Sequence, residues 1–437
     1  MVSDLYPVLK RIFWIMHDKY LNNLKKGVWI YLFLLIFEGA LRKWILPGLA
    51  TPLLLVRDPI ALWLILYSIN KKIWQPNSTV ILVILVSSIS FVLTLVFGHG
   101  NLAVAIFGLR ILIVQFPLIF VIGTICTRND VVLLGRFLLY VSILMTLIVI
   151  WQFFSPQSAW INRGVAGDTE GSGFSGAGGF FRVPGTFSFS NGLTLFYGLI
   201  IPFLVYFWTT NEVAIKKWLL YLATISYAIA VPLTISRTVF FQTIVTILFL
   251  VLISFQNKRV ISSIFRIAIG LCFVLLIISF LDFFQTATDA FTQRFTNASR
   301  VEGGIEGTLV DRFLGSMYRA VSYENFSWFG QGLGMGTNAG AKLLGSEGEF
   351  LISEGEWGRV LGEMGIILGG IILIIRIGIS INWSLRSWIL AKNNDSLPWL
   401  LLSFGAISIV QGQWGQPTAQ GFSIFVGGII YAIIRNK

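Results

Sequence analysis

Apolar residues run through this chain in blocks of about 20, broken by short polar connectors. The blocks fall near 28–46, 53–70, 78–97, 104–125, 130–154, 188–208, 218–235, 238–255, 263–284, 357–376, 397–411 and 417–434. A helix of about 20 apolar residues spans the hydrocarbon of a bilayer. Inside hydrocarbon each backbone N–H and C=O has to pair within its own segment, so each block is expected to be a helix. The two-residue alternation of an outer-membrane barrel is absent. Block 397–411 is short for a span. The pattern predicts an all-α polytopic membrane bundle of about 12 transmembrane helices rather than a string of soluble domains.

The polar stretches divide the chain further. Residues 1–27 read as a basic amphipathic segment on the membrane surface, too charged for a cleaved signal peptide. Residues 28–284 carry the first nine spans, 285–353 form the largest polar loop, and 354–437 hold the last three spans and the C-terminus. A second long connector, 155–187, is rich in Gly and Ser. Within the large loop, 311–323 has helical spacing: Phe313, Leu314, Met317, Ala320 and Val321 share one face, and Arg312, Ser316, Arg319 and Tyr323 the other. Gly330, Gly332, Gly334, Gly336 and Gly340 follow and read as a flexible turn region.

Charge orients the bundle. The 437 residues carry a formal net charge of +12, yet only 12% are charged and 56% are hydrophobic. The cations sit mostly in connectors, so they set membrane orientation and are no footprint for nucleic acid. Lys10, Arg11, Lys19, Lys25 and Lys26 precede the first span. Alternate connectors then hold Lys71 and Lys72, Arg128, Lys216 and Lys217, Lys258, Arg259 and Arg266, and finally Arg376, Arg386 and Lys392. With 12 spans these share one side with the C-terminal Arg435 and Lys437, and the positive-inside bias makes that side cytoplasmic. Arg42, Lys43 and Arg57, near the other ends of the first two spans, are exceptions. Cys126 and Cys272 lie at or within spans, which argues against a disulfide framework. With His17 and His99 the only histidines, no metal or haem site, and no cofactor, is expected.

Several charged residues on the outer side are candidates for chemistry. Arg237 lies between two spans with almost no connector, and its guanidinium fork suits phosphate oxygens. An interfacial arginine that reaches for water would have the same sequence. Arg312 and Arg319 share a helix face and would suit a diphosphate, or else be solvated partners of Asp311 and Glu324. Arg182 is a further cation of the outer side, or simply part of a loop turn. Ser353 and Glu356 fit a capping box at the start of the tenth span, which leaves Glu354 uncommitted at the positive end of that helix. Arg359 and Glu363 are four residues apart and can neutralise each other inside the membrane. Glu38 and Arg110 are also at membrane depth, lining a cavity or pairing with other buried groups. The glycine-rich runs lack the Lys-Ser/Thr ending of a nucleotide-phosphate loop.

These stretches resemble the O-antigen ligase and polymerase superfamily, over roughly residues 180–375. Residues 182–191 (RVPGTFSFSN), from Arg182 to Asn191, are similar to that family's Arg-x-x-Gly-Thr-Phe…Asn stretch before a span. Ile235, Ser236 and Arg237 resemble its Ser-Arg motif at a membrane edge. Arg312, followed by 328–334 (WFGQGLG), resembles its loop arginine and Gly-x-Gly turn, with Trp328 in the proline position. Arg319 and Gly330 fit an Arg-x10-Gly spacing of polymerase loops. Glu363 and Gly365 match the distal part of a His-Asn-x-x-Leu…Glu-x-Gly motif, in which Glu354 stands in the histidine position and Gly355 in the asparagine position.

The resemblance implies a metal-independent glycosyltransferase of the GT-C membrane type, in a bacterial plasma membrane, acting on an undecaprenyl-diphosphate-linked oligosaccharide. Its protein partners would be a flippase and a chain-length regulator. Arg237, Arg312 and Arg319 would then hold the diphosphate, with Arg182, Asn191 and Arg359 as further substrate contacts. Glu354 would serve as the base, with Glu356 next, a weaker base than imidazole unless desolvated. Replacement of the histidine favours polymerisation of lipid-linked repeats over ligation of the finished glycan to lipid A-core or protein. A transporter of lipid-linked glycans is the reading from another class, opposed by the lack of an inverted repeat and by the large one-sided loop.

Overall fold

The computed structural model describes residues 2–210, 215–255, 279–302, 315, 317–318, 320, 326–345, 351–353 and 355–435, with backbone alone for 2–17, 283 and 297–302. The long helices are α1 (Val2–Ala40), α2 (Pro47–Asn70, opening with short helical turns before Arg57), α3 (Ser78–Val96), α4 (Leu102–Ile125), α5 (Arg128–Phe154), α6 (Ser190–Thr209), α7 (Lys217–Leu233), α8 (Arg237–Ser254) and α9 (Asp282–Glu302). The short α10 (Asn338–Leu343) leads to α11 (Glu356–Lys392), α12 (Leu397–Gln411) and α13 (Pro417–Ile434). Among the described residues eight helices are long and apolar enough to cross a membrane, namely α2 to α6, α8, α11 and α13, and α7 and α12 are shorter apolar helices. The chain is therefore read as a multi-pass α-helical membrane protein. The basic N-terminal segment does not form a separate element: α1 runs from Val2 through the first apolar block without a break. Residues 263–278 of the ninth block and most of the loop helix 311–323 fall outside the described residues, as does Cys272.

The bundle has a centre and a rim. Most of the apolar window of α13 is buried (83%), as is that of α6 (78%), whereas that of α2 is mostly exposed (28% buried). Phe187, Phe196 and Phe422 pack together along the centre, and α13 lies against α4, α6 and α12. Side chains such as Leu66, Leu85, Val92 and Leu147 stay outside, the apolar rim that a helix shows to lipid.

The two ends of the bundle differ in chemistry. At one end Lys25 Nζ pairs with Asp130 (2.7 Å), Arg128 pairs with Asp395 (3.1 Å) and Arg435 donates to the Thr124 carbonyl (3.3 Å). The end of α1's basic stretch, the α4–α5 and α11–α12 connectors and the C-terminus thus gather together, as the alternation of basic connectors predicts. The 155–187 connector lies at the opposite end. It contains a two-stranded antiparallel hairpin, β1 (Phe174–Ala177) and β2 (Phe180–Arg182), turned by Gly178 and Gly179 at φ of 61° and 80°. Helix α9 packs against β1 and α7.

Helix α11 is the element that departs most from its sequence pattern. It breaks at Gly365 (φ 78°, ψ 171°), a backbone conformation open only to glycine. The halves 356–364 and 366–392 fold back on each other: a β-carbon on Gly369 would sit 2.8 Å from the Val360 carbonyl oxygen. The break is filled by residues 327–337. Gln331 N–H donates to Gly362 O (2.7 Å), Gly332 N–H to Glu363 O (3.1 Å), and Ile366 N–H to Ser327 O (3.4 Å). On its other side this strap meets α3 and α4, through Leu333 N–H to Thr94 Oγ1 (2.9 Å) and His99 Nε2 on Leu333 O (3.0 Å). A β-carbon on Gly334 would overlap the Val104 carbonyl oxygen. The glycines expected to be a flexible turn are instead a packed insert, required by close backbone approach.

Candidate functional site

The fold-back of α11 creates a buried ionic cluster. Glu356 opens the helix, and Arg376 lies 20 residues on, yet Arg376 Nη1 is 2.6 Å from Glu356 Oε1. Arg359 grips the same carboxylate with two prongs, Nη2 to Oε1 at 2.9 Å and Nε to Oε2 at 3.0 Å. Its third nitrogen, Nη1, reaches Glu363 Oε2 at 2.6 Å. Trp414 N–H completes the set on Glu356 Oε2 (3.0 Å), and Gly336 N–H donates to Glu363 Oε1 (2.9 Å). The predicted Arg359–Glu363 pair is present as the edge of this four-charge network. The predicted capping box is not: Gly355 is the N-cap with no side-chain cap, Ser353 Oγ accepts from Gly355 N–H (3.3 Å), and Glu356 turns inward. A carboxylate beside two guanidiniums forms charge-assisted bonds stronger than a neutral cap bond.

Arg376 also corrects its expected place. It is not a connector cation but 1% exposed, stacked 4.1 Å over the Trp414 ring. Its Nε donates to Ile409 O (2.7 Å) and its Nη2 to Gly412 O (3.0 Å). Trp357 Nε1 takes Val410 O (3.1 Å). A 15-residue helix such as α12 is about 22 Å long, short of the roughly 30 Å hydrocarbon core. Its last carbonyls therefore end inside the bundle, where a cation and two indoles satisfy them. The residues after it, Gly412 to Gln416, are irregular, a backbone tolerated at membrane depth only where protein or a polar cavity surrounds it.

A second buried cluster explains the cations that break the charge alternation. Arg57 Nε pairs with Glu38 (3.1 Å) and its Nη2 donates to Pro417 O (2.7 Å). Arg110 pairs with Asp58 (2.7 Å), which also accepts from Gln115 Nε2 (2.6 Å). Arg42 donates to Ala50 O (2.7 Å) and Ser188 Oγ (2.9 Å), and Lys43 Nζ to Gly185 O (2.8 Å). The three exceptions to the charge bias are internal fasteners. Arg42 and Lys43 fix residues 185–188 to the end of α1, and Thr186 Oγ1 donates to Ile36 O (2.7 Å). A β-carbon on Gly39 would overlap the backbone of Thr186 to Ser188.

Arg237 opens α8 and is 4% exposed. The residue two before it, Ile235, sits at φ 46°, a left-handed backbone that a β-branched residue adopts only under constraint. Ser236 Oγ lies 3.1 Å from Thr194 Oγ1 in the first turns of α6. Three residues earlier in that helix, Asn191 Nδ2 donates to Gln416 Oε1 (3.2 Å). Gln416, Gln413, Gly415, Thr337, Asn338, Ser353 and Glu356 border one cavity. Residues 182–191, 235–237, 328–337 and 355–365 thus gather at one end of the bundle, around the beginnings of α6, α8, α11 and α13. Arg182 closes the β-hairpin at its edge, its guanidinium 5.7 Å from the Phe174 ring. Arg312, Arg319 and Glu354 lie outside the described residues. Sequence reasoning missed Arg376, Gln413, Trp414 and Gln416. The signal for Arg376 was its run of apolar neighbours, Ile374, Ile375 and Ile377.

Comparison with known proteins finds no matching family model, no matching curated protein and no matching solved structure. Fold and site together define the class: a polytopic α-helical membrane protein with a broken helix and an ionic cluster inside the bundle.

Proposed function

We propose that this protein is a GT-C-type glycosyltransferase, with about twelve spans, that polymerises undecaprenyl-diphosphate-linked oligosaccharide repeats at the outer face of a bacterial plasma membrane. Both termini are cytoplasmic in this reading. The observation that supports it is the convergence just described. The stretches that carry the resemblance are up to 180 residues apart in sequence, yet Ser236–Thr194, Asn191–Gln416, Trp414–Glu356 and Gly336–Glu363 link them at one end of the bundle. Four helices begin there, and helix N-termini favour anions.

The reaction is substitution at an anomeric carbon. An acceptor hydroxyl oxygen bonds to that carbon, the bond to the diphosphate oxygen breaks, and the hydroxyl proton passes to a base. Arg237, with Arg312 and Arg319 from the loop, neutralises the departing diphosphate. Glu354 takes the proton. Glu356 serves as an anchor in this scheme, because both of its oxygens already accept two donors each. Arg359 is likewise committed to Glu356 and Glu363.

The test is a deletion strain complemented with variants, followed by extraction of lipid-linked glycans. Wild type should convert single repeats on undecaprenyl diphosphate into longer chains. Glycan moved to lipid A-core or protein would instead assign a ligase, and movement without new bonds a transporter. Arg312→Lys and Glu354→Gln should each lower chain growth at least about tenfold, on the order of 1.4 kcal/mol in the barrier, at unchanged protein level. Full activity in both variants would remove them from the mechanism.

A further inference from the structure

The turn between α3 and α4, residues 98–101, meets the strap of residues 327–337 at a joint centred on His99. The His99 backbone N–H donates to Gln331 O (3.1 Å). Its ring reaches further along the strap, with Nε2 3.0 Å from Leu333 O. On the other side of the ring the Asn101 amide donates to Nδ1 (3.0 Å). Asn101 is in turn the N-cap of α4, where its side chain accepts from the amides of Ala103 and Val104. A β-carbon on Gly332 would stand 2.6 Å from His99 Cδ2, so the ring packs where that glycine leaves room.

These partners fix the protonation state of the ring. A carbonyl oxygen only accepts, so Nε2 carries a hydrogen. A backbone N–H only donates, so Nδ1 is bare. The ring is therefore neutral and in one tautomer. A second proton, on Nδ1, would set two donors against each other across 3.0 Å and leave the Asn101 amide without its acceptor. Charged groups on the surrounding elements are committed elsewhere. Helix α3 carries none, and neither do residues 327–337. Arg110 of α4 is bonded to Asp58, and Glu363 of α11 to Arg359 and the Gly336 amide. Lys342 of α10, the short helix that packs on α4, is exposed.

We propose that His99 is a pH-sensitive joint between the α3–α4 turn and the strap, tight while the ring is neutral and loosened when Nδ1 takes up a proton. The residue is half-buried in a turn between two helices, within reach of solvent protons. Histidine is the side chain that changes charge between about pH 5 and 8. Two other ties across the joint do not titrate: Leu333 N–H to Thr94 Oγ1 (2.9 Å) and the stacked rings of Phe97 and Phe329 (5.8 Å between centroids). Acid therefore loosens the joint without detaching the strap. Because the strap also gives Gly336 N–H to Glu363, the change is felt at the edge of the ionic cluster. This joint is independent of the reaction proposed above.

His17 and His99 are the only histidines, so full-length His17→Gln protein in nanodiscs, made with nitrogen-15 histidine, shows one imidazole by NMR. Near about pH 8 it should carry hydrogen on Nε2 and none on Nδ1, and a second hydrogen should appear as the pH falls toward about 5. Over the same range, hydrogen exchange of peptides covering 98–104 and 327–335, corrected for the intrinsic effect of pH, should quicken about two- to tenfold, the worth of one hydrogen bond. His99→Asn keeps an acceptor for the Asn101 amide, and His99→Gln keeps a donor for Leu333 O, but neither takes up a proton. Each should lose the acid step, while titrations elsewhere in the chain persist. A hydrogen on Nδ1 near about pH 8 would overturn the proposal. So would the absence of an acid step in wild type, or the same step in whichever variant folds.

Discussion

Replacement of Arg376 by Met tests the ionic cluster most directly. The substitution keeps a long unbranched side chain but removes five N–H groups from a site that is 1% exposed. Three contacts vanish: to Glu356 at 2.6 Å, to Ile409 O at 2.7 Å and to Gly412 O at 3.0 Å. Glu356 then keeps Arg359 but faces it with Glu363, so two carboxylates share one guanidinium. Removing one member of a buried ion pair costs about 3–5 kcal/mol. The two orphaned carbonyls would add about 1 kcal/mol each if hydrogen bonds inside membrane proteins have their usual worth of roughly 0.6–2 kcal/mol. The expected loss is therefore about 5–7 kcal/mol. At roughly 2 °C per kcal/mol, the low end of the range for large domains, the melting point should fall by about 10–14 °C. Thermal unfolding in nanodiscs, followed by size exclusion, measures it. Arg376→Met with Glu356→Gln removes both charges and should recover part of the loss, since Arg359 then pairs with Glu363 alone. A single variant that melts within about 2 °C of wild type, with no coupling in the double variant, would refute the claim that these bonds hold the fold-back of α11.

Gly365→Ala should abolish accumulation of folded protein, since a β-carbon there would overlap the Trp328 carbonyl oxygen in addition to the strained backbone; a monodisperse elution peak at wild-type yield would count against the break in α11. Arg57→Ala should destabilise by about 3–5 kcal/mol because it leaves Glu38 with Arg42 alone, 3.5 Å away, and strands the Pro417 carbonyl, and thermal unfolding checks it against exposed Lys26→Ala, expected within about 0.5 kcal/mol of wild type. Arg237→Lys should lower polymer yield at least about tenfold in the complemented deletion strain without a fall in protein level, whereas wild-type yield would return Arg237 to a structural role. For topology, Ser299→Cys should react with a membrane-impermeant maleimide in intact spheroplasts, and labelling only after lysis would reverse the orientation.

Much of the architecture was legible because a bilayer imposes so few solutions. Apolar length alone marks α2 to α6, α8 and α13, and the basic connectors around Lys25, Arg128 and Arg435 meet at one end as their alternation requires. The i, i+4 spacing of Arg359 and Glu363 gave their pair. What periodicity does not encode is the path of an interrupted helix. Gly365 looks like any membrane-helix glycine, so Arg376 was counted as lying past the end of a straight span, and Glu356 as a cap. A single left-handed residue moves both into one cluster. The glycines of 330–336 misled for a related reason: the same residue permits flexibility and close packing, and only the backbones of α4 and α11 decide which. Likewise, Arg42, Lys43 and Arg57 appeared as violations of a charge rule because their partners, Glu38, Ser188 and Gly185, lie 19 to 146 residues away or on one's own helix turn.

The fold-back at Gly365 also bears on how such a chain enters the bilayer during synthesis. On a straight helix Arg359 could still pair with both glutamates, but Arg376 and the one negative charge left on that triad would face lipid unpaired, at about 2.5–3.5 kcal/mol for each charge near a helix centre. The hairpin lets the chain neutralise itself first. Arg359 bonds to both glutamates of its own half-helix, and Arg376 reaches Glu356 across the turn, so every carboxylate has a cation before any later segment has been made. A chain paired in this way would enter lipid as an internally neutralised unit instead of as separate ions. Only afterwards do α12 and the Trp414 turn emerge and close over Arg376, which makes the last 40 or so residues the step that seals the polar interior.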